Sequence, residues 1–193
     1  MDLKGKRIIL SSHSPRRQEL LRGLGIDFQV DAGTSFVETC PPTVPHRLIP
    51  ALMAEGKSRG FHRPLAADEI LITSYTLVLC GEEVLGKPRD AADASRMLHL
   101  LSGRTHEVIT AVSLRDAHRT ETFQDTAEVS FKELTDSEID YYIRHFRPFD
   151  KAGAYGIQEW IGYIGIERIS GSFYTIMGFP VHLVYAHLLP FLQ

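Results

Sequence analysis

The chain of 193 residues is 44% hydrophobic and 23% charged, an ordinary balance for a globular domain, long enough for one substantial core and short for two. A formal charge of −3 gives no global pull towards nucleic acid or an acidic membrane, so any anion must be held by a local cluster. Two cysteines, Cys40 and Cys80, are too few for a disulfide framework and sit in no zinc spacing, so both are expected as reduced thiols. In chain order, residues 7–11 read as a short buried strand, with Ile8, Ile9 and Leu10 consecutive. The apolar run that begins there is too short for a signal peptide, and no stretch approaches a membrane span, so the expected location is the cytoplasm. Next comes a helix with Ser14 at its N-cap, Pro15 at its first position and Gly25 as its stop. Residues 28–30 read as a second strand, 31–45 as a proline-bearing loop, and 48–60 as a helix weakened by Pro50 and Gly56.

Residues 69–80 are the most β-rich run, and Gly86-Lys87-Pro88 forms a turn beyond them. A helix over 91–101 leads to two long alternating segments, 105–114 and 120–131, which read as an antiparallel pair. Thr135-x-x-Glu138 is a capping box for a helix to about residue 145. A glycine-rich loop at 150–158 precedes a strand near 163–169, and a helix over 180–192 closes the chain. Strands alternate with helices first and pair with each other later, which predicts an α/β fold: one domain over 1–193 with a mixed, twisted sheet flanked by helices.

The sharpest chemical feature is Ser11-Ser12-His13-Ser14-Pro15-Arg16-Arg17, a strand-to-helix junction. A helix N-terminus presents open N–H groups and attracts anions. Two arginines in the first turn oppose the helix dipole, which makes sense if an external anion shares that end; a solvated cap with two exposed arginines is the equally weighted alternative. Lys87 projects from a strand end, the edge where α/β sheets bind ligands, and Lys57 lies on the preceding helix. In Asp150 to Gln158, glycines let backbone approach a ligand while the Gln158 amide offers both donor and acceptor. The nine histidines show no zinc spacing and are expected as surface or half-buried residues. A basic stripe with interleaved aromatics is lacking, so nucleic acid is not an expected partner.

Taken together, Ser14-Pro15-Arg16-Arg17, Leu85-Gly86-Lys87-Pro88, Leu100-Leu101-Ser102-Gly103-Arg104-Thr105-His106, Asp150 to Gln158 and Met177-Gly178-Phe179-Pro180 resemble the Maf family of nucleotide pyrophosphatases along essentially the whole chain. Arg16, Thr76 and Gln158 match the branch acting on dTTP and UTP. The resemblance implies a Maf/ITPase-like fold, hydrolysis of a nucleoside triphosphate to the monophosphate and pyrophosphate, a divalent cation (Mg²⁺ or Mn²⁺), and a homodimer. It implies that Arg16 and Arg17 at the helix start hold phosphate and that Lys57 and Lys87 neutralise the polyphosphate. Glu38 would stand near the metal, and Thr76 and Gln158 would contact the nucleotide.

Two positions break the pattern. Tyr75 stands where the family carries the aspartate that accepts a proton and helps hold the metal, and Val37 replaces the acid before Glu38. A phenol is roughly 0.1% ionised at pH 7, whereas a carboxylate is almost fully ionised. A neutral phenol is a poor base and a poor Mg²⁺ ligand. Two readings follow: a pyrophosphatase impaired at Tyr75, or a nucleotide-binding relative without turnover.

Overall fold

Short apolar strands bounded by caps and glycines assemble into a sheet of seven strands, described by a computed structural model for residues 1–193. The strands are β1 (Arg7–Leu10), β2 (Phe28–Val30), β3 (Glu69–Cys80), β4 (Glu83–Leu85), β5 (Thr105–Arg115), β6 (Thr120–Phe131) and β7 (Ile166–Ser170). Their order is β2-β1-β3-β5-β6-β7, with β4 paired to β3. The β1–β2 and β1–β3 pairs are parallel, whereas β3–β4 and β6–β7 are antiparallel. The sheet is therefore mixed, as the alternation of the sequence predicts. The helices are α1 (Pro15–Gly23), α2 (Ile49–Arg59), α3 (Ala91–Leu101), α4 (Asp136–Phe146), α5 (Trp160–Gly165), α6 (Phe173–Ile176) and α7 (Val181–Leu188).

Two compact units share the chain: a first of Met1–Tyr75, Thr110–Asp125 and Gly178–Gln193, and a second of Thr76–Ile109 and Thr126–Met177. In the first unit, period-two alternation covers both faces of β1. Ile8 and Leu10 join Leu21 of α1 and Val184 and Leu188 of α7, while Ile9 joins Leu71 and Phe61. Glu69, at the start of β3, is 3% exposed yet satisfied by Arg63 at 2.7 Å and the Ala66 N–H at 2.9 Å, so its carboxyl is held below the usual range, chiefly by the Arg63 bond.

The second unit packs α3 and α4 over the continuation of β3 and over β6, with Leu98, Leu101, Val129, Ile139 and Tyr142 buried together. The predicted capping box of α4 is present in both directions, Thr135 accepting from the Glu138 N–H and Glu138 accepting from the Thr135 N–H. His106 departs from expectation. It is 2% exposed, stacks on Phe131 and shares a 2.7 Å hydrogen bond with the Tyr155 hydroxyl.

Two element boundaries also differ from the sequence reading. The expected strand near 163–169 begins only at Ile166, because Trp160–Gly165 is helical. The expected closing helix over 180–192 is α over Val181–Leu188 and a 3-10 turn over Leu189–Leu192, since Pro190 cannot donate into a continued α-helix. β4 and α6 are short additional elements.

Candidate functional site

In the first unit, β1 hands over to α1 through Ser11, whose N–H donates to the Ile72 carbonyl at 2.8 Å. Ser14 caps α1 by accepting from the Arg17 N–H, and the Ser14 N–H donates to the Ser12 hydroxyl at 3.2 Å. Arg17 turns its guanidinium inward. Its Nε donates to the Gly178 carbonyl at 2.9 Å, and its Nη1 donates to the Ser74 carbonyl at 3.0 Å and the Ser12 hydroxyl at 3.4 Å. Burial, with added repulsion from Arg16, lowers its pKa to about 10, which leaves it charged at neutral pH. Arg17 thus ties the helix start to β3 and to the glycine of Met177-Gly178-Phe179-Pro180. Arg16, its neighbour in the first turn, is half-buried and close enough to repel it.

Lys57 lies in the last turn of α2, mostly buried along its stem, with Nζ 2.5 Å from Glu38 Oε1 and 5.4 Å from the centre of the Tyr75 ring. Two contacts fix this arrangement. The Thr73 hydroxyl donates to the Ala54 carbonyl at 2.6 Å, fastening α2 over β3. Phe36 lays its ring over Gly56, where an added Cβ would meet ring atoms at 2.4 Å, while the Ser35 N–H donates to the Gly60 carbonyl at 2.8 Å. The loop that carries Glu38 is therefore clamped onto α2, a role that the sequence reading of Gly56 as a weak helix position missed. The signal available was a glycine inside a helix, which costs stability unless something packs against it.

Tyr75 is half-buried, and its hydroxyl titrates above the usual range, first because of burial and then because of Glu38 and Cys40, with Arg17 opposing. The first unit thus brings together four of the expected site residues, Arg17, Lys57, Glu38 and Tyr75, with Arg16 beside Arg17. Val37 is 70% exposed and adds nothing to the cluster.

The remaining expected residues belong to the second unit. Thr76 is half-buried in the next position of β3. Lys87 is exposed in its turn, and the turn is fixed where the Gly153 N–H donates to the Gly86 carbonyl at 3.1 Å. Gly153 has φ +70° and lies so close to Val78 that an added Cβ would meet its side chain at 3.0 Å, so the close approach requires glycine. In the same loop the buried Lys151 ammonium lies 2.8 Å from Asp150 and 3.0 Å from Glu159. The Tyr142 hydroxyl donates to Glu159 and accepts from the Gly156 N–H at 2.9 Å. This Lys151–Glu159–Tyr142 network was not foreseen, and it fixes the backbone that presents Gln158. Gln158 lines a cavity of about 330 Å³ with Ile157, Gly162, Tyr163, Ile166, Ile169 and Phe173, and its Oε1 is buried without a hydrogen-bond partner. A buried amide oxygen costs about 1–3 kcal/mol unless a donor, from water or a ligand, meets it.

The donor set does not fit a resident divalent metal. Nowhere do three or more His, Cys, Asp or Glu side chains converge to hold an ion. Around Tyr75 the one carboxylate is Glu38, already paired with Lys57. Magnesium requires hard oxygen ligands, which a protonated phenol supplies poorly. Both cysteines are free thiols.

Known proteins similar to this chain match it along almost its whole length. The chain is 47% identical over 187 residues to a dTTP/UTP pyrophosphatase of Phocaeicola vulgatus, covering 97% of each chain. It is 45% identical over 192 residues to a protein of that name from Porphyromonas gingivalis, covering 98% of this chain and 96% of the relative. A third, from Flavobacterium psychrophilum, is 46% identical over 183 residues, covering 95% and 93%. The family model described as Maf-like protein matches residues 7–191, and the chain belongs to that family.

Proposed function

We propose that this protein hydrolyses dTTP and UTP to the monophosphate and pyrophosphate, at a rate held down by the phenol at position 75. The observation that supports this reading is the cluster of Arg17, Lys57 and Glu38 around Tyr75, with Arg16 beside Arg17, in a chain matched almost end to end by relatives named for that reaction. Hydrolysis requires water to attack the α-phosphorus while the bond to the bridging oxygen breaks and pyrophosphate departs. Cations are needed for the charge that grows on the leaving group, and Arg16 and Lys57 supply them. A base is needed for the water proton. Tyr75, with its pKa raised by burial, does not provide one, and Glu38 is the carboxylate of the cluster. The resemblance assigns Thr76, Lys87 and Gln158 to nucleotide recognition.

A second reading, nucleotide binding without turnover, is favoured by Tyr75 itself. Pyrophosphate release measured over a triphosphate panel with Mg²⁺ or Mn²⁺, beside the Tyr75→Asp variant, separates the two. Slow release selective for dTTP and UTP supports the hydrolase. Binding with no release above the blank in the natural chain supports the second reading. A homodimer in the cytoplasm belongs to the same proposal on the resemblance alone, with sedimentation equilibrium as the test of assembly. No helix is long and apolar enough to cross a membrane.

A further inference from the structure

The charge arithmetic of the Tyr75 cluster bears on which form of the ligand it takes. Lys57 and Arg17 set their positive charge around Tyr75 against the single carboxylate of Glu38, with Arg16 next to Arg17, while the Tyr75 phenol stays protonated at physiological pH. Polyphosphate in water carries either bare oxygens or a divalent cation across them. The cation removes two of the ligand's negative charges and carries a positive centre towards Arg16 and Lys57. It is accommodated where anionic oxygens of the protein complete its shell. Mg²⁺ on a polyphosphate keeps several waters and takes one or two protein carboxylates; here the carboxylate facing Tyr75 is Glu38, already paired with Lys57. A protonated phenol acts in the opposite sense. It is an O–H donor, which a phosphate oxygen accepts and a metal ion does not use.

We propose that the cation cluster around Tyr75 takes its polyphosphate free of divalent metal, and that Mg²⁺ competes with the protein for the ligand instead of bridging the two. The inference rests on reading this cluster as a polyphosphate site. On binding, Lys57 turns part of its charge from Glu38 to the ligand, and the Tyr75 hydroxyl donates to a phosphate oxygen. Such a protein responds to the uncomplexed fraction of its nucleotide, so its occupancy falls as free Mg²⁺ rises.

Calorimetry on the full chain tests this with two probes, dTTP and inorganic tripolyphosphate, each titrated in EDTA and in excess Mg²⁺ at constant ionic strength. Both probes are expected to bind in EDTA and to weaken roughly three- to tenfold in Mg²⁺, the size expected when two ligand charges leave partly exposed ion pairs. Tyr75→Asp places a second carboxylate beside Glu38 and is expected to reverse the order, with Mg²⁺ tightening dTTP binding. Tighter or unchanged dTTP binding by the natural chain in Mg²⁺ overturns the inference and leaves the proposed function standing. Absence of dTTP binding in both buffers overturns the two together.

Discussion

Tyr75 meets Lys57 with its ring, 5.4 Å from ammonium to ring centre, and lies within electrostatic reach of Glu38 and Arg17 through its hydroxyl. Restoring a carboxylate there adds a base that is ionised at neutral pH, and a positioned base contributes about 10²–10⁴-fold in rate. Tyr75→Asp is therefore expected to raise kcat for dTTP by about two orders of magnitude or more with Mg²⁺ present, read as pyrophosphate released per enzyme. Tyr75→Phe separates the hydroxyl from the ring. It is expected to weaken metal-free tripolyphosphate binding by roughly two- to tenfold, the worth of one hydrogen bond, without unfolding the chain. Arg17 poses a different question. Its guanidinium donates to Gly178, Ser74 and Ser12, so Arg17→Ala is expected to cost about 2–3 kcal/mol of stability by leaving inward carbonyls unmatched, as denaturant unfolding would measure. At this scale the sequence disclosed the residue types at the α1 junction but not the division of labour between Arg16 and Arg17. Spacing places both in one helical turn, and only the packing of Gly178 and Ser74 decides which of them points inward.

Among the elements, caps and period-two strands were the most legible features, because their signals are local. Ser14, Asp90 and Thr135 each cap the helix that follows, with a side chain accepting from the backbone three residues on. The segment around Trp160 was illegible for the converse reason. Its aromatic and β-branched residues favour a strand locally, yet Trp160 packs on Tyr141 at 4.7 Å and Ile161 is buried in the second unit's core, so tertiary contacts make it helical. Gly162 shows how little room that conformation leaves: an added Cβ would lie 1.8 Å from the Ile157 carbonyl oxygen. Backbone cannot yield as a side-chain tip can. Gly162→Ala is thus expected to displace the Ile157–Gln158 segment and lower stability by about 2 kcal/mol or more, with a fall in melting temperature as the measurement. At Gly56 the obstacle is the tip of the Phe36 ring at 2.4 Å, a group able to swing aside. There alanine gains up to about 1 kcal/mol of helix propensity, which offsets the lost ring contact. Gly56→Ala should therefore stay folded while freeing the loop that carries Glu38. Faster proteolytic cleavage within residues 34–40 is the expected sign, and an unchanged cleavage rate would deny that Phe36 clamps the loop.

For the molecule as a whole, His106 ties stability to mildly acidic pH. Burial lowers its pKa from 6.5 to about 4, and its Nδ1 is buried without a partner, so the folded chain holds this imidazole neutral. An unfolded chain takes up the proton near pH 6.5 and the folded chain only near pH 4. Stability is therefore full above pH 6.5 and falls between those values, by about 3 kcal/mol for a shift of that size, then levels off with respect to this group. His99 works in the other direction. Its pKa is raised, chiefly by Asp136, so it adds stability below 6.5 that is lost as pH rises. That pair is largely exposed, with side chains 48% and 94% accessible, and solvent screening keeps its contribution well below that of His106. Buried carboxylates with lowered pKa values, such as Asp93 beside Arg89 and Arg96 and Glu69 beside Arg63, release their stabilisation only at still lower pH, below about 4. The window from 6.5 to 4 thus belongs mainly to His106. His106→Gln keeps an amide to meet the Tyr155 hydroxyl but removes the titration. Unfolding free energies measured by denaturant at pH 7, 6, 5 and 4.5 should slope downwards in the natural chain and run nearly flat in the variant. Parallel slopes in the two proteins would show that the buried imidazole is not what couples this fold to acid.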